Sequence, residues 1–125
     1  MGVMNGMLAI IVEDDLMLST IFTEAVKQAG YVTETYNDGS QALKRFGEIV
    51  PALIVMDMHL PGVMGPDLLR SVRGRAEMDD TIVIVATADP LLGEIYQEQA
   101  DFVMIKPISF GQLRDLAQRL GQKVG

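Results

Sequence analysis

Carboxylates, a hydroxyl and an amine stand in this chain where apolar runs have just ended. Glu13-Asp14-Asp15 follows Leu8-Ala-Ile-Ile-Val12, and Asp57 follows Ala52 to Met56. Thr87 follows Thr81 to Ala86, and Lys106 follows Phe102 to Ile105. Gathered in one place, three such carboxylates would repel one another unless something positive joined them. Oxygen donors of this kind, in a chain with no Cys and a single His, suit Mg²⁺, which keeps its waters and favours carboxylates plus a phosphate. A carboxylate can also attack phosphorus and give an aspartyl phosphate. Such a transfer needs mainly positioning and charge neutralisation, which a metal and a lysine provide. The residue types therefore point to Mg²⁺-dependent phosphoryl chemistry on an aspartate.

That chemistry requires the strand ends to converge, and the periodicity says how they do. Leu8 to Val12 is a continuous apolar run, as expected of a strand buried on both faces. Leu18, Ile21, Phe22, Ala25, Val26 and Ala29 form one helical stripe, stopped by Gly30. Tyr31 to Tyr36 reads as a second strand, Asn37-Asp-Gly39 as a turn, and Ser40 as the cap of a helix carrying Ala42, Leu43 and Phe46. After the Ala52–Met56 strand, Pro61, Gly62 and Gly65 mark a loop, and Pro66 opens a helix with Leu68, Leu69 and Val72. The Thr81–Ala86 strand precedes a short helix with Leu92, Ile95 and Tyr96. After the Phe102–Ile105 strand, Ser109 caps a last helix with Phe110, Leu113, Leu116 and Leu120 on one side.

Five strands alternating with five helices predict an α/β, doubly wound, five-stranded parallel sheet of flavodoxin-like order 2-1-3-4-5. In that order strands one, three, four and five are neighbours, so their polar ends meet in one crevice at the carboxyl edge. Strand two lies outside it and ends in nothing comparable.

Composition narrows the alternatives. A chain of 125 residues fits one domain, expected to span 1–125 with its core at about 8–120 and no output domain. Hydrophobic residues make up 49%, which excludes disorder. No apolar run approaches the roughly 20 residues of a membrane helix. Residues 1–6 lack a basic segment and a cleavable apolar stretch, so a cytoplasmic protein is expected. Net charge is −7 with scattered basic residues, so direct nucleic-acid binding is not expected. Arg70, Arg73 and Arg75, the one local basic group, read as a solvated helix face.

With these features assembled, the chain resembles the receiver domains of two-component response regulators from about Leu8 to Leu120. The segments that carry the resemblance are Ile10-Ile-Val-Glu-Asp-Asp15, Leu53-Ile-Val-Met-Asp-Met-His-Leu-Pro-Gly62 with Gly65, Thr87-Ala88 and Lys106-Pro107. The resemblance implies that Glu13 and Asp14 help hold Mg²⁺ with Asp57 and the backbone carbonyl of His59, and that Asp57 accepts the phosphoryl group. It implies that Thr87 hydrogen-bonds a phosphoryl oxygen, that Lys106 pairs with it, and that Lys106-Pro107 is cis. The implied donor is a histidine kinase or histidine phosphotransfer protein, and the output goes to a downstream protein or a phosphorylation-dependent dimer. Such a domain assists its own phosphorylation and dephosphorylation without being an enzyme proper.

Plainer roles are expected for the residues around this set. Asp15 is read as the cap or a first-turn acid of the helix that follows, and His59 as a loop residue. Gly62 and Gly65 are read as serving backbone conformations that side chains disfavour, and the nine methionines mostly as core filling. Two departures from the family pattern stand out. Val103 occupies the position, three residues before the lysine, where members usually carry Tyr or Phe, with Phe102 expected on the opposite side of the strand. The stretch from Thr87 to Lys106 is also about three residues shorter than usual. Two rivals are a binding module that keeps the fold without phosphorylation and a Mg²⁺-dependent aspartyl-phosphate hydrolase. Haloacid-dehalogenase-type hydrolases place a second aspartate two residues after the nucleophile, where this chain has His59.

Overall fold

In the computed structural model, which describes residues 7–124, strands and helices alternate throughout the described residues. They run β1 (Leu8–Val12), α1 (Leu16–Gln28), β2 (Val32–Tyr36), α2 (Gly39–Phe46), β3 (Leu53–Asp57) and α3 (Gly65–Arg73). A 3-10 turn (Ala76–Met78) leads into β4 (Ile82–Thr87), α4 (Pro90–Tyr96), β5 (Phe102–Ile105) and α5 (Phe110–Val124). All strands are parallel, in the order β2-β1-β3-β4-β5. Residues 1–6, read above as free of a secretion signal, lie outside the described residues. Among the described residues no helix is long and apolar enough to cross a membrane.

The unbroken apolar runs follow from burial on both faces, since successive side chains of a strand point to opposite sides. Ile10, Val12, Ile54, Met56, Val83 and Val85 pack against Phe46 of α2 and Leu68, Leu69 and Val72 of α3. Ala9, Ile11, Leu53, Val55, Ile84 and Ala86 pack against Phe22, Ala25 and Val26 of α1 and Leu113 and Ala117 of α5. Each large side chain buried this way stabilises by about 1.5–3 kcal/mol. Met56, Met58 and Met78 are in the core and Met7 and Met104 pack against it, as expected of filler, whereas Met17 and Met64 are exposed. Met1 and Met4 lie outside the described residues.

Several local expectations hold and others are corrected. Asp15 does cap α1, accepting the Leu18 N–H at 3.0 Å. Ser109 and Gln112 form a reciprocal capping box at the start of α5, with bonds of 2.9 and 3.1 Å. For α2 the cap is Asp38 rather than Ser40, because the carboxylate of extended Asp38 takes the Ser40 N–H at 2.6 Å. Strands β3 and β4 start and end one residue later than read, since Asp57 pairs with Ala86 and Thr87 with Ile105. Arg70 is a solvated ion-pair partner of Asp67, but Arg73 and Arg75 are not solvent groups. Arg73 donates to Gln99 O, Thr81 O and Asp101, and Arg75 to Phe46 O. A guanidinium has five donors in a fixed fork, and the loop carbonyls beside the end of α3 meet them.

Helix α4 is the largest local surprise. Ile95, read as part of its apolar side, is 58% exposed, and Gly93 is the buried residue. A Cβ built on Gly93 would lie 2.8 Å from Val103 Cγ1, so α4 rests directly on β5 and only glycine fits there. Val103 belongs to the α2–α3 side of the sheet and Phe102 lies beside Leu116 and Leu120 of α5, on the opposite side as expected.

Candidate functional site

The parallel register brings the four expected strand ends together. Glu13 directly follows β1, Asp57 ends β3, Thr87 ends β4 and Lys106 directly follows β5. Glu13, Asp57 and Thr87 are 1%, 4% and 0% exposed, respectively, while Asp14 is exposed at the rim. Carboxylate oxygens of Glu13, Asp14 and Asp57 all lie within 4.8 Å of one another. The Lys106 ammonium bridges two of them, 3.0 Å from Glu13 Oε1 and 3.1 Å from Asp57 Oδ2. The Lys106-Pro107 bond is cis, as expected.

Each buried group has a second anchor. The Asp15 N–H donates to Glu13 Oε2 at 3.2 Å, and the His59 N–H donates to Asp57 Oδ1 at 3.1 Å. The His59 side chain is exposed, in keeping with a loop residue. The Thr87 hydroxyl accepts the Asp89 N–H at 3.0 Å, and Asp89 in turn caps α4 through the Leu91 N–H. Ala88 is exposed beside it. Gly62 adopts φ +76°, as its reading required, but Gly65 has no positive φ. Gly65 serves close approach instead, because a Cβ there would run into Met58 Cα and sit 2.8 Å from Asp57 O. The start of α3 is thereby held against the end of β3.

Electrostatics follow from burial and crowding. Glu13 is pushed up to about 7, chiefly by burial, with the Asp57 charge adding to it and the Lys106 and Asp15 hydrogen bonds opposing it. Burial works against the Lys106 charge, yet hydrogen bonds to Glu13 and Asp57 outweigh it and hold the amine above its ordinary value. One cation thus faces two buried carboxylates and a third at the rim. The set is hard, all-oxygen and without Cys or His side chains, which fits Mg²⁺ and not a thiolate or imidazole metal.

Sequence reasoning missed two contributors. Asp89 holds the Thr87 hydroxyl, and Asn37 reaches from the end of β2 to the Glu13 carbonyl, its Nδ2 donating at 2.9 Å. Strand two therefore does end in something relevant to the crevice. The signal was a turn-forming Asn directly after a strand, which read only as a turn.

Comparison with known proteins bears on this arrangement. The sequence model of the response regulator receiver domain matches residues 9–118. The DNA-binding response regulator MtrA of Mycolicibacterium smegmatis is 34% identical over 102 residues, covering 78% of this chain and 43% of that protein. The phosphate regulon transcriptional regulatory protein PhoB of Rhizobium meliloti is 32% identical over 106 residues, covering 82% and 47%. The chain spans less than half the length of these relatives. Among solved structures, the chemotaxis response regulator CheY4 of Vibrio cholerae superposes with a TM-score of 0.83 at 22% identity, over 93% of this chain and 99% of that one. The receiver domain of the sensor histidine kinase PA1611 of Pseudomonas aeruginosa PAO1, with a magnesium ion coordinated in its active site cleft, gives 0.82 at 25% identity, over 94% and 98%. The chain belongs to the response regulator receiver domains of two-component systems.

Proposed function

We propose that this receiver unit, with its core at about residues 8–120, accepts a phosphoryl group on Asp57 from a histidine kinase or histidine phosphotransfer protein and switches a downstream partner. The observation that carries the reading is the crowding of Glu13, Asp14 and Asp57 within 4.8 Å, with Lys106 3.1 Å from Asp57. An oxygen of Asp57 bonds to phosphorus as the phosphorus–nitrogen bond of the donor phosphohistidine breaks, and the freed imidazole nitrogen is left to take a proton. Glu13, Asp14 and Asp57, with the His59 carbonyl, would hold Mg²⁺, as the PA1611 receiver holds magnesium in its cleft. When bound, that ion supplies positive charge against the phosphoryl oxygens. Lys106 orients and neutralises the same oxygens, and Thr87 donates its hydroxyl to one of them.

The output then runs through Thr87. To reach the phosphoryl group its hydroxyl must turn its proton away from Asp89 O, 3.5 Å distant, and the movement of Thr87 pulls on the loop that leads into α4. With Val103 fixed beneath Gly93, the moving part is the loop 88–90 and α4, not an aromatic rotamer on β5. Shifting a population from 1:99 to 99:1 takes about 5.5 kcal/mol. New charge-assisted bonds from Thr87 and Lys106, at about 1.5–3 kcal/mol each, can supply much of that. Water attack on the aspartyl phosphate, assisted by the same residues, would reset the switch.

The test is intact mass after acetyl phosphate, with and without Mg²⁺. One added phosphoryl group, dependent on Mg²⁺ and absent in Asp57→Asn, is expected. Uptake by Asp57→Asn at the wild-type level would end the assignment. Steady phosphate release without an adduct would indicate a hydrolase, and no reaction would indicate a binding module.

A further inference from the structure

We propose that Asn37 is a positioning residue for the acidic corner, so that the end of β2 sets how well Glu13 and Asp14 hold a divalent cation. The inference rests on the Mg²⁺ reading above and adds a residue to it. The β1–β2 ladder runs in register to Val12 and Tyr36, and the Glu13 N–H extends it by donating to Tyr36 O at 3.0 Å. In a parallel ladder the next rung would carry an N–H of residue 38 to the Glu13 carbonyl. The backbone has already turned there, because Asp38 caps α2. The side-chain amide of Asn37 takes that rung instead, at 2.9 Å.

The carbonyl so held belongs to the peptide unit that joins Glu13 to Asp14. Fixing its plane fixes the direction in which Asp14 leaves the strand, and with it the rim carboxylate of the cluster. The same turn also grips the other arm of the site: the Gly39 N–H donates to Pro61 O at 3.0 Å, in the loop that follows Asp57 and His59. A Cβ on Gly39 would run into the Val63 carbonyl oxygen, so this contact is close-packed. One turn thus braces both acidic arms without contributing a ligand. Residues that orient ligands in this way typically govern metal affinity by 10–100-fold when removed.

The experiment uses the purified chain and Mg²⁺ alone. Binding is measured by calorimetry for wild type, Asn37→Ala, Asn37→Leu (similar in size, without a donor) and Gln41→Ala as a surface control. Melting and residue-resolved amide exchange are measured without Mg²⁺. The expected result is Mg²⁺ binding roughly 10-fold weaker in both Asn37 variants, with wild-type affinity in Gln41→Ala. Without metal, exchange should quicken at the Asp14 amide while the melting temperature stays near that of wild type. Wild-type Mg²⁺ affinity in the Asn37 variants would overturn the proposal and leave the metal reading intact. A wild-type chain that binds no Mg²⁺ would overturn both. Lowered melting with exchange quickened throughout β2 would make Asn37 a fold-holding residue, which also overturns it.

Discussion

At the amino-terminal pole of the sheet, Thr81 is 3% exposed and donates its hydroxyl to Pro51 O at 2.8 Å. Beside it Arg73 spends its donors on Gln99 O, Thr81 O and Asp101, and Asp101 also accepts the Val83 N–H at 2.7 Å. Arg73 and Asp101 there each face an opposite charge or a dipole turned to suit them. At the carboxyl pole Glu13 and Asp57 are as deeply buried, but they are like charges sharing one ammonium, with Asp14 a third. No buried side-chain nitrogen or oxygen lacks a hydrogen-bond partner among the described residues, so the conflict at this pole is one of charge alone. The first pole holds the fold. The second keeps an unbalanced cluster of negative charge.

Removing polar groups should therefore have opposite signs at the two poles. The largest effect is expected for Arg73→Ala, which deletes three bonds and leaves Asp101 without its cation. It should destabilise by about 2–3 kcal/mol in urea unfolding. The exposed pair Arg70–Asp67 should lose no more than about 0.5 kcal/mol in Arg70→Ala. Equal losses in the two variants would erase the special standing of the amino-terminal pole.

Glu13→Gln should stabilise the metal-free chain. Its folded value of about 7 lies above the ordinary 4.5, so Glu13 binds a proton more readily folded than unfolded. The associated stability is fully present below pH 4.5 and is lost as pH rises through about 7. Glu13→Gln should match wild type at pH 4.5 and exceed it at pH 8, by on the order of 1–3 kcal/mol. The measurement is urea unfolding in chelator at both pH values. A variant less stable than wild type at pH 8 would mean that Lys106 already balances the site.

The smallest effect belongs to β5, which lies between helix and site. Val103→Tyr must push Gly93 away, because no space separates α4 from β5 there. It should cost about 1 kcal/mol by overpacking and speed amide exchange in residues 90–96, while phosphoryl uptake on Asp57 continues at the wild-type rate. Loss of uptake would bring β5 packing into the chemistry and blur the division between the two poles.

Strand and helix order, and the carboxyl-edge placement of Glu13, Asp57, Thr87 and Lys106, were legible from sequence alone. An apolar run of about five residues buried on both faces, alternating with a 3.6-residue stripe, leaves few ways to cover every apolar face. A parallel sheet then sends all its strand ends to one edge. The caps at Asp15 and Ser109 were legible for a related reason, since each acts within three residues of itself. What only the tertiary structure decided depends on neighbours distant in sequence. Arg73 looked like solvent-facing charge until residues 81, 99 and 101 came beside it. Gly93 and Gly65 owe their place to how near α4 and α3 lie to β5 and β3, and no local pattern encodes a distance between elements. Asn37 read as a turn former because its second partner, the Glu13 carbonyl, stands 24 positions earlier in the chain. Periodicity reports which side of an element is buried; register and close approach, set by packing, decide which groups it meets there.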